Sequence, residues 1–152
     1  MDRIDHRILA ALQRDAALST ADLADEVGLS PTPCWRRVKQ LEAAGYIRGR
    51  VALLDREKLN IPTTVFVSVK TSSHAAGWLE SFASAVRDMP EVTEFYRMSG
   101  DVDYLMKVVV PDIAAYDAFY KRLIARIDLS DVSSSFAMEE IKTTTALPLD
   151  YL

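Results

Sequence analysis

Five cationic side chains, Arg36, Arg37, Lys39, Arg48 and Arg50, face a single carboxylate, Glu42, between residues 30 and 50, a local net charge of +4. The chemistry open to such a group is recognition of phosphate oxygens and base edges: guanidinium offers a planar fork of donors, and ammonium a point charge. The rest of the chain does not share this character, since residues 51–152 carry a net −5 and the whole chain −4. A basic patch on an acidic body can bind phosphates while the acidic remainder limits indiscriminate DNA binding. Other chemistries find little support. One cysteine excludes an internal disulfide and a cysteine-cluster metal site. The two histidines, His6 and His74, have no nucleophile–base pairing that spacing supports. No catalytic residue, metal or cofactor is expected.

The elements that must position the cations come first in the chain. Ile4, Ile8, Ala11 and Leu12 recur at helical spacing and predict an amphipathic helix that ends before Arg14-Asp15. Ser19 or Thr20 caps a second helix, Asp22 lies in its first turn, and Leu23, Ala24 and Val27 form its buried face. Gly28 supplies a left-handed stop. Ser30-Pro31 opens a third helix, in which Cys34, Val38 and Leu41 fall at i, i+4 and i+7 and turn inward. Thr32, Trp35, Arg36 and Lys39 are then outward, with Arg37 near the seam. Gly45 closes the helix, and Tyr46 to Leu54 reads as extended chain carrying Arg48 and Arg50. A helix, a tight turn and a second helix with basic outward side chains is the geometry that sets a helix in the major groove. Trp35 suits a base or sugar contact and equally a packing contact on a neighbouring subunit, and Cys34 reads as a small core residue.

The remainder follows another period. Val65, Val67 and Val69 alternate along a first strand, 63–70. Trp78, Phe82, Ala85, Val86 and Met89 mark a helix stopped by Pro90, and Val92 to Met98 is a second strand. Ser99-Gly100-Asp101 makes a turn into a third strand with Tyr104, Met106, Val108 and Val110 on one face. Pro111-Asp112 opens a helix through Ile127, and Val132 to Ile141 is a fourth strand. This βαββαβ order predicts a ferredoxin-like layer of two helices on one face of an antiparallel sheet. The fold class is therefore α+β, with a helix-turn-helix domain at 1–50, an extended linker at 51–62 and the ferredoxin-like domain at 63–152. The uncovered sheet face, read as including Phe66, Phe95, Leu105 and Val109, is too apolar for water and predicts a homodimer. The charged start Met1-Asp2-Arg3 is unlike a signal peptide, and no apolar run approaches the ~18 residues of a span, so a cytoplasmic protein without membrane contact is expected.

Two segments carry a resemblance. S-P-T-P-C-W-R-R-V-K-Q-L-E-A-A-G-Y-I at 30–47 and S-G-D-V-D-Y-L-M-K-V at 99–108 resemble the hallmark segments of the Lrp/AsnC, or feast/famine, transcription regulators, in the order and spacing of that family over essentially the whole chain. The resemblance implies a winged-helix-like reader and an effector domain that binds amino acids, in dimers that assemble further into tetramers or octamers, bound to double-stranded DNA in the nucleoid. It places the recognition helix from Ser30 to about Ala44, with Thr32, Pro33, Trp35, Arg36, Arg37 and Lys39 toward DNA. It places the effector pocket between domains, at Met98, Ser99, Gly100, Asp101, Asp103 and Tyr104 and at Ser133, Ser134, Ser135 and Phe136. Turn amides and serine hydroxyls suit an α-carboxylate, and Asp101 or Asp103 an α-ammonium. Both aspartates are equally suited to fixing the turn. P-T-P-C-W-R-R-V with S-S-F-A-M-E-E-I-K-T-T-T-A-L-P resembles a subgroup tied to cysteine breakdown, which suggests L-cysteine as effector. Two rivals share parts of this pattern: a siroheme-decarboxylase-like enzyme on the same fold, and a nucleoid-type architectural protein that binds DNA with little sequence preference.

Overall fold

The change from helical to two-residue apolar spacing near residue 60 is also a change of core. The computed structural model describes residues 1–151 and divides into two units, one of Met1–Leu53 with residues 142–151 and the other of Leu54–Ile141.

The first unit holds α1 (Arg3–Arg14), α2 (Thr20–Val27) and α3 (Pro31–Ala43). Asp2 caps α1 through a reciprocal capping box with Asp5, and Ser19 caps α2 by accepting from the Asp22 amide. Gly28 ends α2 in the left-handed region at φ 75, where a side chain would be strained. Pro31 stands in the first turn of α3, and Ser30, its N-cap, makes no side-chain cap hydrogen bond. Ile8, Leu9 and Ala11, Leu23, Ala24 and Val27, and Cys34, Val38 and Leu41 close one core. Helix three is thus fixed by the inward row its spacing predicts.

The second unit holds β1 (Thr63–Lys70), α4 (Ala76–Arg87), β2 (Val92–Arg97), β3 (Tyr104–Val110), α5 (Ile113–Arg126) and β4 (Asp131–Phe136). The strands lie in the order β2-β3-β1-β4, all neighbours antiparallel, as the ferredoxin-like reading requires. Val65, Val67, Val69, Met106 and Val108 pack under Phe82, Val86, Phe119 and Leu123 of the two helices. Phe82 is the hub, with ring centroids 4.9 Å from Phe95 and 5.4 Å from Tyr104. Phe95 therefore faces the helices, which corrects its expected place on the uncovered face. The register shift between Val92 and Glu94 breaks the alternation that reading assumed.

Three boundaries differ from expectation. The fourth strand stops at Phe136 rather than Ile141, because Phe136 pairs with Val65 and the Ala137 amide with the Thr64 carbonyl, at the start of β1. Only Thr63 of β1 lies beyond that point, so residues after 138 have no β1 residue opposite them. Residues 55–61 form a turn rather than extended linker: the Leu59 amide donates to Asp55 at 3.1 Å, and Asn60 sits at φ 57. Arg56 anchors this turn, its Nη2 donating to the Thr64 hydroxyl at 2.7 Å and to the Pro62 carbonyl at 3.0 Å. Finally, residues 142–151 belong to the first unit, not to the sheet unit in which the expected 63–152 domain placed them. Gln13 grips their backbone, with Nε2 donating to the Leu147 carbonyl at 3.1 Å and Oε1 accepting from its amide at 2.6 Å, while Leu149 joins the three-helix core.

Candidate nucleic-acid interface and effector turn

With Cys34, Val38 and Leu41 buried, the opposite side of α3 faces solvent, and Thr32, Trp35, Arg36 and Lys39 all stand on it. Trp35 leaves 53% of its surface exposed, an unusual fraction for an aromatic ring with no packing partner in its own core. Ser30, Arg48 and Arg50 are also exposed, and Pro33 is half-buried. With proline at positions 31 and 33, the first turn of α3 offers the Thr32 amide and the Ser30 and Thr32 hydroxyls, and its outer side offers cations. That combination can contact phosphate with some groups and base edges with others.

The cations are not equivalent. Arg37 is half-buried, and its Nη1 lies 2.7 Å from Asp2 and 2.8 Å from Asp5. The hydrogen bonds that Arg37 donates to these two carboxylates raise its pKa, Asp5 contributing more than Asp2. Asp2 is held down to about 2, chiefly by the Asp5 amide and then by Arg37. Arg37 ties α3 to the capped end of α1, at the seam where its spacing puts it, whereas the family resemblance lists it with the DNA-facing residues. Its position at the seam, one residue before buried Val38, was the available signal. Lys39 pairs with Glu42 at 2.7 Å and Arg50 with the other Glu42 oxygen at 3.3 Å. Among the described residues, Arg36 and Arg48 pair with no carboxylate. A cavity of about 680 Å³ lies beside this surface, walled by Leu9, Leu12, Ile47, Leu149 and Tyr151 and rimmed by Arg48 and Arg50.

The expected effector residues divide. Asp103 is occupied structurally: its Oδ2 accepts the Thr71 amide at 2.8 Å, its own amide donates to Val69 at 3.0 Å and its carbonyl accepts from Met98 at 2.8 Å. It fixes the turn joining β2 and β3 to the end of β1. Met98, Ser99, Gly100 and Asp101 are exposed on that turn, with Gly100 at φ 101, while Tyr104 is buried in the aromatic cluster. Along β4 the pleat separates the serines. Ser134 hydrogen-bonds the Tyr116 hydroxyl and Phe136 packs edge-on to the Tyr116 ring at 5.3 Å, both toward the helices. Burial, partly offset by Ser134, raises the Tyr116 pKa. Ser133 and Ser135 point to the uncovered face, opposite Ser68 and Phe66 of β1. A shallow cavity of about 530 Å³ in this unit lies elsewhere, on α4 and α5, lined by Ser81, Ser84, Asp88 and Arg126 among others.

Among the described residues no group of three or more His, Cys, Asp or Glu side chains could hold a metal ion, and no helix is long and apolar enough to cross a membrane. His6 lies on α1 and His74 in the loop after β1, in different units.

A three-helix reader with a cationic outer helix, and a ferredoxin-like sheet unit, define a two-part regulator, and comparison with known proteins agrees. Residues 1–48 match the model for a winged helix-turn-helix DNA-binding domain, and residues 64–147 that for the Lrp/AsnC ligand-binding domain. The chain belongs to the Lrp/AsnC family of DNA-binding transcription regulators. It is 52% identical to the DNA-binding transcriptional activator DecR of Escherichia coli over 99% of each chain. The crystal structure of an AsnC family transcriptional regulator from Agrobacterium tumefaciens superposes at a TM-score of 0.97 with 64% identity, covering 100% of this chain and 99% of that one. A Neisseria meningitidis transcriptional regulator solved as its L-Met complex superposes at 0.95 with 39% identity, covering 99% and 98%.

Proposed function

We propose that this protein is a sequence-specific regulator that reads DNA with the outer side of α3 and answers to a small amino acid bound between sheet units of a homo-oligomer. The observation that carries the reading is the exposed row of Thr32, Trp35, Arg36 and Lys39, standing on a helix whose other side is sealed by Cys34, Val38 and Leu41. Arg36 and Arg48 make the standing contacts with the duplex, and Ser30, Thr32, Pro33 and Trp35 lie where the first turn of the helix meets it. The uncovered sheet face supports a second copy as partner. Phe66 and Tyr96 are 40% and 51% exposed there, and Val51, Leu53 and Leu54 form a further apolar stretch open to solvent. Paired readers would then bind half-sites about one helical turn, roughly 34–36 Å, apart.

For the effector, the exposed turn Met98–Asp101 and the face-sharing Ser133 and Ser135 offer amides and hydroxyls for a carboxylate, with Asp101 for the ammonium group. L-cysteine is our first choice of ligand, and L-methionine, bound by the Neisseria relative, is its natural comparison. An amino acid acts here only through a difference in affinity between two arrangements of the oligomer. A regulator acting on the chromosome would reside in the cytoplasm, at the nucleoid. The test is binding to DNA upstream of its own gene, with scrambled duplex as competitor and the twenty amino acids added singly. A preference for the promoter that one amino acid shifts is the expected result. Equal affinity for scrambled DNA, unmoved by any amino acid, would favour an architectural role instead.

A further inference from the structure

Resting on the DNA-reading assignment above, we propose that Glu42 is an internal counter-ion that restrains binding to non-operator DNA, holding Lys39 and Arg50 until a duplex phosphate displaces it. Glu42 is the only carboxylate between residues 30 and 50. It takes one cation on each oxygen: Lys39 Nζ at 2.7 Å from Oε2, and Arg50 Nη2 at 3.3 Å from Oε1. The two cations come from different elements, the recognition helix and the extended chain that follows it, so one carboxylate ties together the two parts of the basic surface. Lys39 and Arg50 are 53% and 44% exposed and Glu42 30%, so the trio is open to solvent and to an approaching strand.

Exposure decides what such pairs can do. A buried pair would be fixed, whereas an exposed one contributes little and exchanges readily. A backbone phosphate carries the same single negative charge, spread over two oxygens, as the carboxylate it replaces, so Lys39 and Arg50 gain little by the exchange. Arg36 and Arg48, without carboxylate partners among the described residues, gain the full contact. A duplex that supplies phosphates alone is therefore held mainly by two arginines. One that also supplies matching base edges can meet the cost of opening Glu42. The displaced carboxylate must recruit a cation from solution, which offsets one of the counter-ions released from DNA and flattens the salt dependence.

The test uses the full chain and a random-sequence duplex of about 30 base pairs, long enough for two half-sites, across a salt series. Glu42→Gln is expected to tighten binding about 3- to 10-fold at low salt, the scale of one or two exposed ion pairs, and to steepen the log–log salt slope by about one to two, as one or both freed cations reach phosphate. In a Lys39→Met/Arg50→Met background the same change is expected to have no effect. A gain that survives in that background would mean only that a negative charge had been removed near DNA, and would overturn the proposal. So would unchanged or weaker binding by a Glu42→Gln protein with native circular dichroism. A second comparison does not depend on that variant folding: Arg36→Met is expected to cost more random-duplex affinity than Lys39→Met, and the reverse order would overturn the gate. Wild-type protein that binds neither this duplex nor its own promoter would remove the DNA-reading assignment itself, a different failure from a wild type that binds but ignores Glu42.

Discussion

Deleting residues 142–152 removes chain that directly follows the sheet unit in sequence, yet the damage is expected at the reader. The truncated reader would lack the two Gln13–Leu147 hydrogen bonds and the partial burial of Leu149 in the helical core. At ~0.5–1.5 kcal/mol per hydrogen bond and ~1–2 kcal/mol for a half-buried leucine, the gross contribution is about 2–5 kcal/mol. Ordering the three residues Leu147–Leu149 costs ~1 kcal/mol each, which for a docked tail leaves a net between zero and ~2 kcal/mol, about 1 kcal/mol at its centre. For a unit of this size that is ~4–8 °C in melting temperature. The measurement is thermal unfolding of the full-length and truncated proteins, with Trp35 and Trp78 reporting on the first and second units respectively. The reader's transition is expected to fall and the sheet unit's to stay, with Gln13→Ala reproducing part of the fall. A shift confined to the Trp78 transition would refute the reasoning, since it would mean the tail works for the unit it adjoins in sequence.

Other outcomes follow from the same geometry. Arg36→Ala is expected to weaken promoter binding by ~1–3 kcal/mol if its fork reads a base, with relaxed preference at that position; unchanged gel-shift affinity and preference would exclude it. Asp2 titrates lower in the folded chain than the ordinary 3.8, so its contribution is complete above 3.8 and is lost as pH falls toward 2. The reader of Asp2→Asn, which keeps a cap but lacks the charge, should therefore lose less melting temperature over that window than wild type. Asp103→Ala leaves the Thr71 amide without its acceptor, so the sheet unit should lose ~1–3 kcal/mol even without effector; an altered amino-acid response with unchanged melting would instead make Asp103 a ligand contact. Phe66→Glu on the uncovered face is expected to shift the oligomer toward monomer in analytical ultracentrifugation, and an unaltered sedimentation profile would place the interface elsewhere.

The helices and strands were legible because apolar periodicity reports burial directly. The Cys34, Val38, Leu41 row and the Val65, Val67, Val69 row each lie where their spacing puts them. Phe95 was misplaced because a single irregularity in β2 inverts the parity on which a two-residue count depends. The tail was illegible for another reason. Leu147 and Leu149 show an apolar pattern after Thr143-Thr144-Thr145, but a pattern names a buried face without naming the core that buries it.

Charge was the least legible property of all, and for a reason that bears on how the reader works. Counting residues 30–50 gives five cations against one anion, and the count treats the five alike. The structure divides them three ways: Arg37 serves the fold through Asp2 and Asp5, Lys39 and Arg50 share Glu42, and Arg36 and Arg48 stand without carboxylate partners among the described residues. Two of these partners lie outside the basic stretch altogether, at the start of α1. Net local charge sets how strongly a duplex is drawn in once it lies within about a Debye length of this surface, because salt screens the acidic charge farther away. Contact affinity instead depends on what each cation must give up on reaching a phosphate, and that differs among the three groups. A reader built this way can attract a duplex that has come close to its basic surface while holding random sequence weakly on contact.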